Sequence, residues 1–174
     1  MNAQNLISTL IGRAAFSADE SVYATQEACG TFALTLWDFL ARKAIAAHLV
    51  SVGYDPRWDT RPGRDPALRY PEAIEWKHLN HVAVRVGDKA YDIDGGHELS
   101  GLMERFGGNG IVALDRETLM AQMGDDDDQP LYFDPDFYRR VGHALASAWE
   151  ALGTHTARIR AESDADTVQP SPFS

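Results

Sequence analysis

At 174 residues and 19.2 kDa the chain has the length of one domain, and 44% hydrophobic with 24% charged residues is a globular composition, neither fibrous nor wholly disordered. Sixteen Lys and Arg against twenty-six Asp and Glu give a formal net charge of −10, which disfavours general binding to nucleic acid or to an anionic membrane surface. The single cysteine excludes an internal disulfide and any metal site built from several thiolates.

Leu6, Ile7, Leu10, Ile11 and Ala14 recur at helical spacing and predict a short amphipathic helix. The opening 16 residues lack a cationic leader, and Arg13 interrupts their apolar run, so no secretory signal is expected. Residues 27–48 predict a second, more apolar helix. Cys29, Phe32, Ala33, Leu36, Trp37, Leu40 and Ala44 make one face, Leu34, Phe39, Ala41 and Ile45 widen it, and only Thr31, Thr35, Asp38 and Arg42 form a polar stripe. A helix apolar over most of its circumference is a buried one, so this is the expected central helix.

Leu49 to Val52 predict a short strand. Residues 53–77 carry Pro56, Pro62, Pro66 and Pro71 among Arg57, Arg61, Arg64 and Arg69, with acids interleaved, and predict a long loop that either lines a substrate site or is a surface excursion. Val82, Val84 and Val86 alternate with Ala83 and Arg85; Gly87-Asp88 then separates them from Lys89 to Asp94, which is a β-hairpin pattern. A helix around 98–106, a Gly-rich turn at 107–110, a strand at 111–114 and a short helix at 116–123 follow. Asp125 to Asp128 read as a solvated loop. Asp134-Pro135 is an N-cap and first-turn pair opening a long final helix with Phe137, Val141, Ala144, Leu145, Ala148, Trp149 and Leu152 on one face. Residues 1–162 are thus expected to form one domain, with 163–174 a disordered tail.

Cys29 stands at the start of the buried helix, in Gln26-Glu27-Ala28-Cys29-Gly30. Unpaired N–H groups and the helix dipole favour negative charge there, hence the thiolate, which is the nucleophile. Gly30 would leave room for a substrate. The plain alternative is that Cys29 merely packs, since free cysteine is among the most buried residue types. His81 opens the first hairpin strand and offers the base that a thiol nucleophile needs. Asp92 and Asp94 on the partner strand offer the acid that orients an imidazole, and alternation would put both on one face.

Cys29-Gly30-x-Phe32-Ala33-Leu34-x-Leu36, His81-Val82-x-Val84-x-Val86 and Tyr91-Asp92-Ile93-Asp94-Gly95 together resemble the papain-like and transglutaminase-like cysteine enzymes, and most of all their small bacterial and phage-borne members. The resemblance covers roughly residues 26–95. It implies an α+β fold in which an antiparallel sheet of three to five strands, bearing the histidine and the acid, packs on a central helix that carries the cysteine at its N-terminus. It also implies Cys29 as nucleophile, His81 as base and Asp92 as the third member, following the smaller members' pattern. Asp94 is the second choice, because Gly95 stands where the larger members have proline. Gln26, the only amide side chain nearby, is the candidate oxyanion donor beside the N–H of Cys29 itself.

The expected activity is therefore cysteine-dependent acyl transfer on an amide, as a thiol protease, deamidase or transglutaminase-like enzyme, on a protein or peptide substrate and without a cofactor. The expected compartment is cytoplasmic, delivery to another cell by a secretion system remaining open. Two other readings compete. His78, His81, Asp92, Asp94 and His97 are close enough in sequence to suggest a metal site, although His78 and His81 should point to opposite faces. Alternatively, the chain is a non-catalytic interaction module of the same fold.

Overall fold

The structure, a computed structural model, describes residues 2–53, 79–108, 110–123 and 132–166, the last thirteen of these by their helical course alone. Most of the proline-rich loop, His78, Asp125 to Asp128 and residues 167–174 therefore lie outside the described residues.

Two capped helices open the chain. Asn2 accepts the N–H of Asn5 to start α1 (Ala3–Ala14), which buries Ile7, Leu10 and Ile11. Ser17 and Glu20 form a reciprocal capping box at the head of α2 (Ala18–Gln26). No apolar stripe in the sequence announces α2, whose only buried residue is Ala24. The N–H groups of Glu27 and Ala28 both turn back to the carbonyl of Tyr23, and the chain breaks there before α3 (Cys29–Arg42) begins.

The expected 27–48 helix is thus shorter at both ends. At its far end Ala44 adopts a left-handed φ of 56°, the N–H of Ala44 returns to Ala41 and that of Ile45 to Leu40. These paired bonds form a Schellman stop. No glycine announces it, and Ala in this conformation costs roughly 1 kcal/mol. Ile45 packs back on the core, and the Trp37 indole donates to the carbonyl of Ala47, 3.1 Å away, anchoring the exit loop.

The sheet is antiparallel throughout, in the order β4-β3-β2-β1-β5, with β1 (His48–Gly53), β2 (Leu79–Val86), β3 (Lys89–Asp92), β4 (Gly95–Glu98) and β5 (Gly110–Leu114). Strand alternation divides its side chains between two clusters. Leu49, Val82, Val84, Val86, Tyr91, Val112 and Leu114 pack with α1 and α3, and with the long α6 (Pro135–Asp166) beyond them. Val50, Val52, Ala83, Ala90 and Ile111 face the other way, onto Leu102 of α4 (Leu99–Phe106). A short α5 (Arg116–Gln122), capped by Asp115, adds Leu119 to the first cluster.

The fold is α+β, with α3 held between the sheet and α6. Ten of its fourteen residues are buried. Asp134 caps α6 as expected, accepting the N–H groups of Asp136 and Phe137 at 2.8 and 2.9 Å. Its other oxygen takes the Tyr23 hydroxyl, and its own N–H donates to Thr31, so one residue ties α2, α3 and α6 together. The final helix continues to Asp166, past Ser163. No helix among the described residues is long and apolar enough to cross a membrane.

Candidate active site

The β2–β3 ladder pairs Val86 with Lys89, Arg85 with Ala90 and Val84 with Tyr91, and stops there. His81 and Asp92 sit at its open end. The His81 carbonyl accepts the buried Ser51 hydroxyl from β1 at 2.9 Å, which pins the strand at that point. Both side chains are sealed: His81 is 1% exposed and Asp92 2%. Nε2 of His81 lies 3.1 Å from Oδ2 of Asp92.

An ionised carboxylate only accepts, so the proton between them belongs to Nε2. The lone pair of the neutral ring is then on Nδ1. Among the described residues this buried atom has no hydrogen-bond partner of regular geometry. Cys29 nevertheless lies near enough to the imidazole to raise its proton affinity. Cys29 packs with the first cluster, whereas the His81 ring belongs to the opposite layer, stacked on Phe106 with centroids 3.5 Å apart and planes 6° from parallel. The two meet where the ladder has ended.

Electrostatics follow from this packing. Burial opposes a charge on His81, but the hydrogen bond to Asp92 and the influence of Cys29 outweigh it, and the pKa is pushed up to about 9 from an ordinary 6.5. Burial opposes ionisation of Asp92 too, yet hydrogen bonds from His81 and His97, followed by their charges, hold the carboxyl well below the usual carboxylate range. Both shifts favour imidazolium beside carboxylate.

The two candidate acids part company. Strand β3 ends at Asp92, and Oδ1 of Asp92 accepts the N–H of Asp94 at 2.9 Å, a turn built by an Asp side chain on its own backbone. Ile93 and Asp94 are that turn, and Gly95 leaves it with φ 116°. The expectation that alternation carries Asp94 onto the face of Asp92 therefore fails. Asp94 is exposed, in an ion pair with Arg105 and a hydrogen bond with Ser21.

Gln26 is the last residue of α2 and is exposed. What the head of α3 offers instead is its own backbone. Its N-cap residue, Ala28, supplies no side-chain hydrogen bond to the N–H groups of the first turn. The room expected beside Gly30 is taken: a Cβ there would stand 2.8 Å from Sδ of Met123. Gly30 thus serves packing, and Cys29 itself is 7% exposed.

His97 enters as a partner of Asp92. It is set opposite Ala90 in the β3–β4 ladder, and its Nε2 lies 2.8 Å from Oδ1 of Asp92. The Nε2 atoms of both histidines are thus occupied by one carboxylate, and among the described residues no three His, Cys, Asp or Glu side chains are grouped to hold a metal. The only sequence signal for β4 is Asp94-Gly95, a hairpin dipeptide at the turn before it. Phe106, seen only as part of a helix, carried no signal. Asn80 holds it in place by donating to the carbonyls of Phe106 and Gly107 at the end of α4.

No family model matches the chain, and neither does any curated protein or any solved structure.

Proposed function

We propose that the chain is a cysteine-dependent acyl-transfer enzyme acting on an amide, with Cys29 as nucleophile, His81 as proton carrier and Asp92 as the group that orients and charges the imidazole. The observation that supports it most is the buried His81–Asp92 pair, with Nε2 committed to the acid and Nδ1 left for the thiol. Sealing both charges away from water is costly and contributes little to stability that apolar residues would not match. A site that needs an imidazolium beside a sulfur has a use for that arrangement.

The thiolate would attack the carbonyl carbon, and the electron pair moves to the oxygen, facing the N–H of Cys29 at the uncapped head of α3. The tetrahedral species collapses as the C–N bond breaks, and His81 gives its Nδ1 proton to the departing amine. A thioester on Cys29 remains. Water or a second amine then attacks it, with neutral His81 taking the incoming proton, and the thiolate is restored. Water makes the enzyme a peptidase or deamidase; an amine makes it transglutaminase-like. A protein or peptide substrate and a cytoplasmic setting belong to the same reading and rest on the sequence.

A peptide vinyl sulfone tests it, because its addition needs both a thiolate and a proton donor. Intact mass should show one adduct on Cys29, formed at least about 100-fold more slowly in His81→Ala. An adduct absent from the folded wild-type protein, or formed equally in both, overturns the proposal. The second reading, a non-catalytic module in which Cys29 packs, is favoured by the low exposure of the sulfur and predicts that absence.

A further inference from the structure

The acyl-transfer reading uses one oxygen of Asp92; the other is held by a residue to which that reading gives no task. Asp92 accepts three hydrogen bonds: Oδ2 from His81, Oδ1 from His97 and from the N–H of Asp94. Since an ionised carboxylate only accepts, the Nε2 of His97 carries a proton toward it, as does that of His81. The two imidazoles are not equivalent. His81 lies at 1% side-chain exposure and is stacked on Phe106, whereas His97 keeps 21% and reaches Asp92 from the short outer strand β4.

Asp92 is the last residue of its strand, where the ladder to β2 has already ended. The backbone bond from Asp94 fixes the turn. Oδ1 is held by that N–H and by Nε2 of His97, and His97 is the side chain of the two donors. We propose that His97 is a positioning residue: by donating Nε2–H to Oδ1 of Asp92 it locks the carboxylate plane, keeps Oδ2 on Nε2 of His81, and so holds the imidazole toward Cys29. The proposal rests on the acyl-transfer reading for its purpose but not for its geometry.

The alternative is purely electrostatic, and its sign is opposite. If His97 only drained charge from Asp92, its removal would leave a stronger carboxylate and bind the His81 proton more tightly. If it positions, removal frees the carboxylate and His81 binds its proton less tightly.

The test is an NMR titration of the His81 ring in the full chain, comparing wild type, His97→Ala, His97→Gln and His97→Asn, with thermal unfolding to confirm folding. His97→Ala should lower the His81 midpoint by about one pH unit, a tenfold loss of proton affinity. His97→Gln, whose amide nitrogen reaches the place of Nε2, should restore it, and the shorter Asn should not. An unchanged or raised midpoint in folded His97→Ala overturns the proposal, as does failure of Gln to restore it. Should the Ala variant not fold, the Gln–Asn difference decides: equal midpoints sink the idea. Reaction of wild-type Cys29 with the vinyl sulfone is scored separately. A silent thiol with the expected midpoints removes the acyl-transfer reading and leaves the positioning role, and a reactive thiol with unmoved midpoints does the reverse.

Discussion

Asp92 and Asp94 are two residues apart, but one is sealed between two imidazoles at the end of β3 and the other is exposed, bound to Arg105 and Ser21. In a continuing strand they would share a face. The side chain of Asp92 prevents that, because its Oδ1 captures the N–H of Asp94 and closes the turn. The same carboxylate therefore shapes the backbone that removes its rival and holds the histidine. A buried charge with three donors has one tenable environment, whereas an exposed ion pair tolerates many.

Several measurements sharpen or break that contrast. The largest effect is expected from Asp92→Ala, which strands two imidazole donors, one of them buried; urea unfolding should show a loss of about 3–5 kcal/mol. The pH dependence comes next. His81 is raised above its unfolded value, so its contribution is complete below pH 6.5 and is lost as pH rises through about 9. Asp92 is lowered, so its contribution is present above 3.8 and is lost as pH falls below that. For this pair stability should be greatest between about pH 4 and 6.5 and fall by on the order of 3 kcal/mol toward pH 10. Asp92→Asn should flatten the alkaline fall, and Asp94→Asn should leave it intact. Phe106→Ala, which uncovers one face of the imidazole, should cost about 2 kcal/mol by the same unfolding assay. Smallest of all, Asp94→Asn should change stability by less than about 1 kcal/mol, as expected for an exposed ion pair. A loss comparable to that of Asp92→Ala would erase the distinction between the two acids.

Much of the frame could be read from residue patterns, because its elements are strongly periodic. The circumference of α3, the valine alternation of β2 and the Asp134-Pro135 start of α6 each reflect local rules that tertiary packing reinforces. The misses have local causes too. The Schellman stop at Ala44 uses no glycine, α2 buries almost nothing, and β4 is too short and glycine-rich to show alternation. Of the site, Cys29, His81 and Asp92 were nameable from residue type and order. Asp92 was preferred to Asp94 on the pattern of the resemblance alone, since the side-chain turn that separates the two acids leaves no periodic signal, and the places of His97 and Phe106 depend on which strand and helix return to the open end of the ladder.

The central claim is that His81, charged by Asp92, keeps the sulfur of Cys29 reactive. Its most direct test is the rate of iodoacetamide alkylation at pH 6.5, followed by intact mass in wild type and in folded His81→Ala. The account predicts a wild-type rate at least about tenfold above that of free cysteine, falling to or below the free-cysteine rate without the imidazole. A wild-type thiol no faster than free cysteine, or one indifferent to the loss of His81, would contradict it.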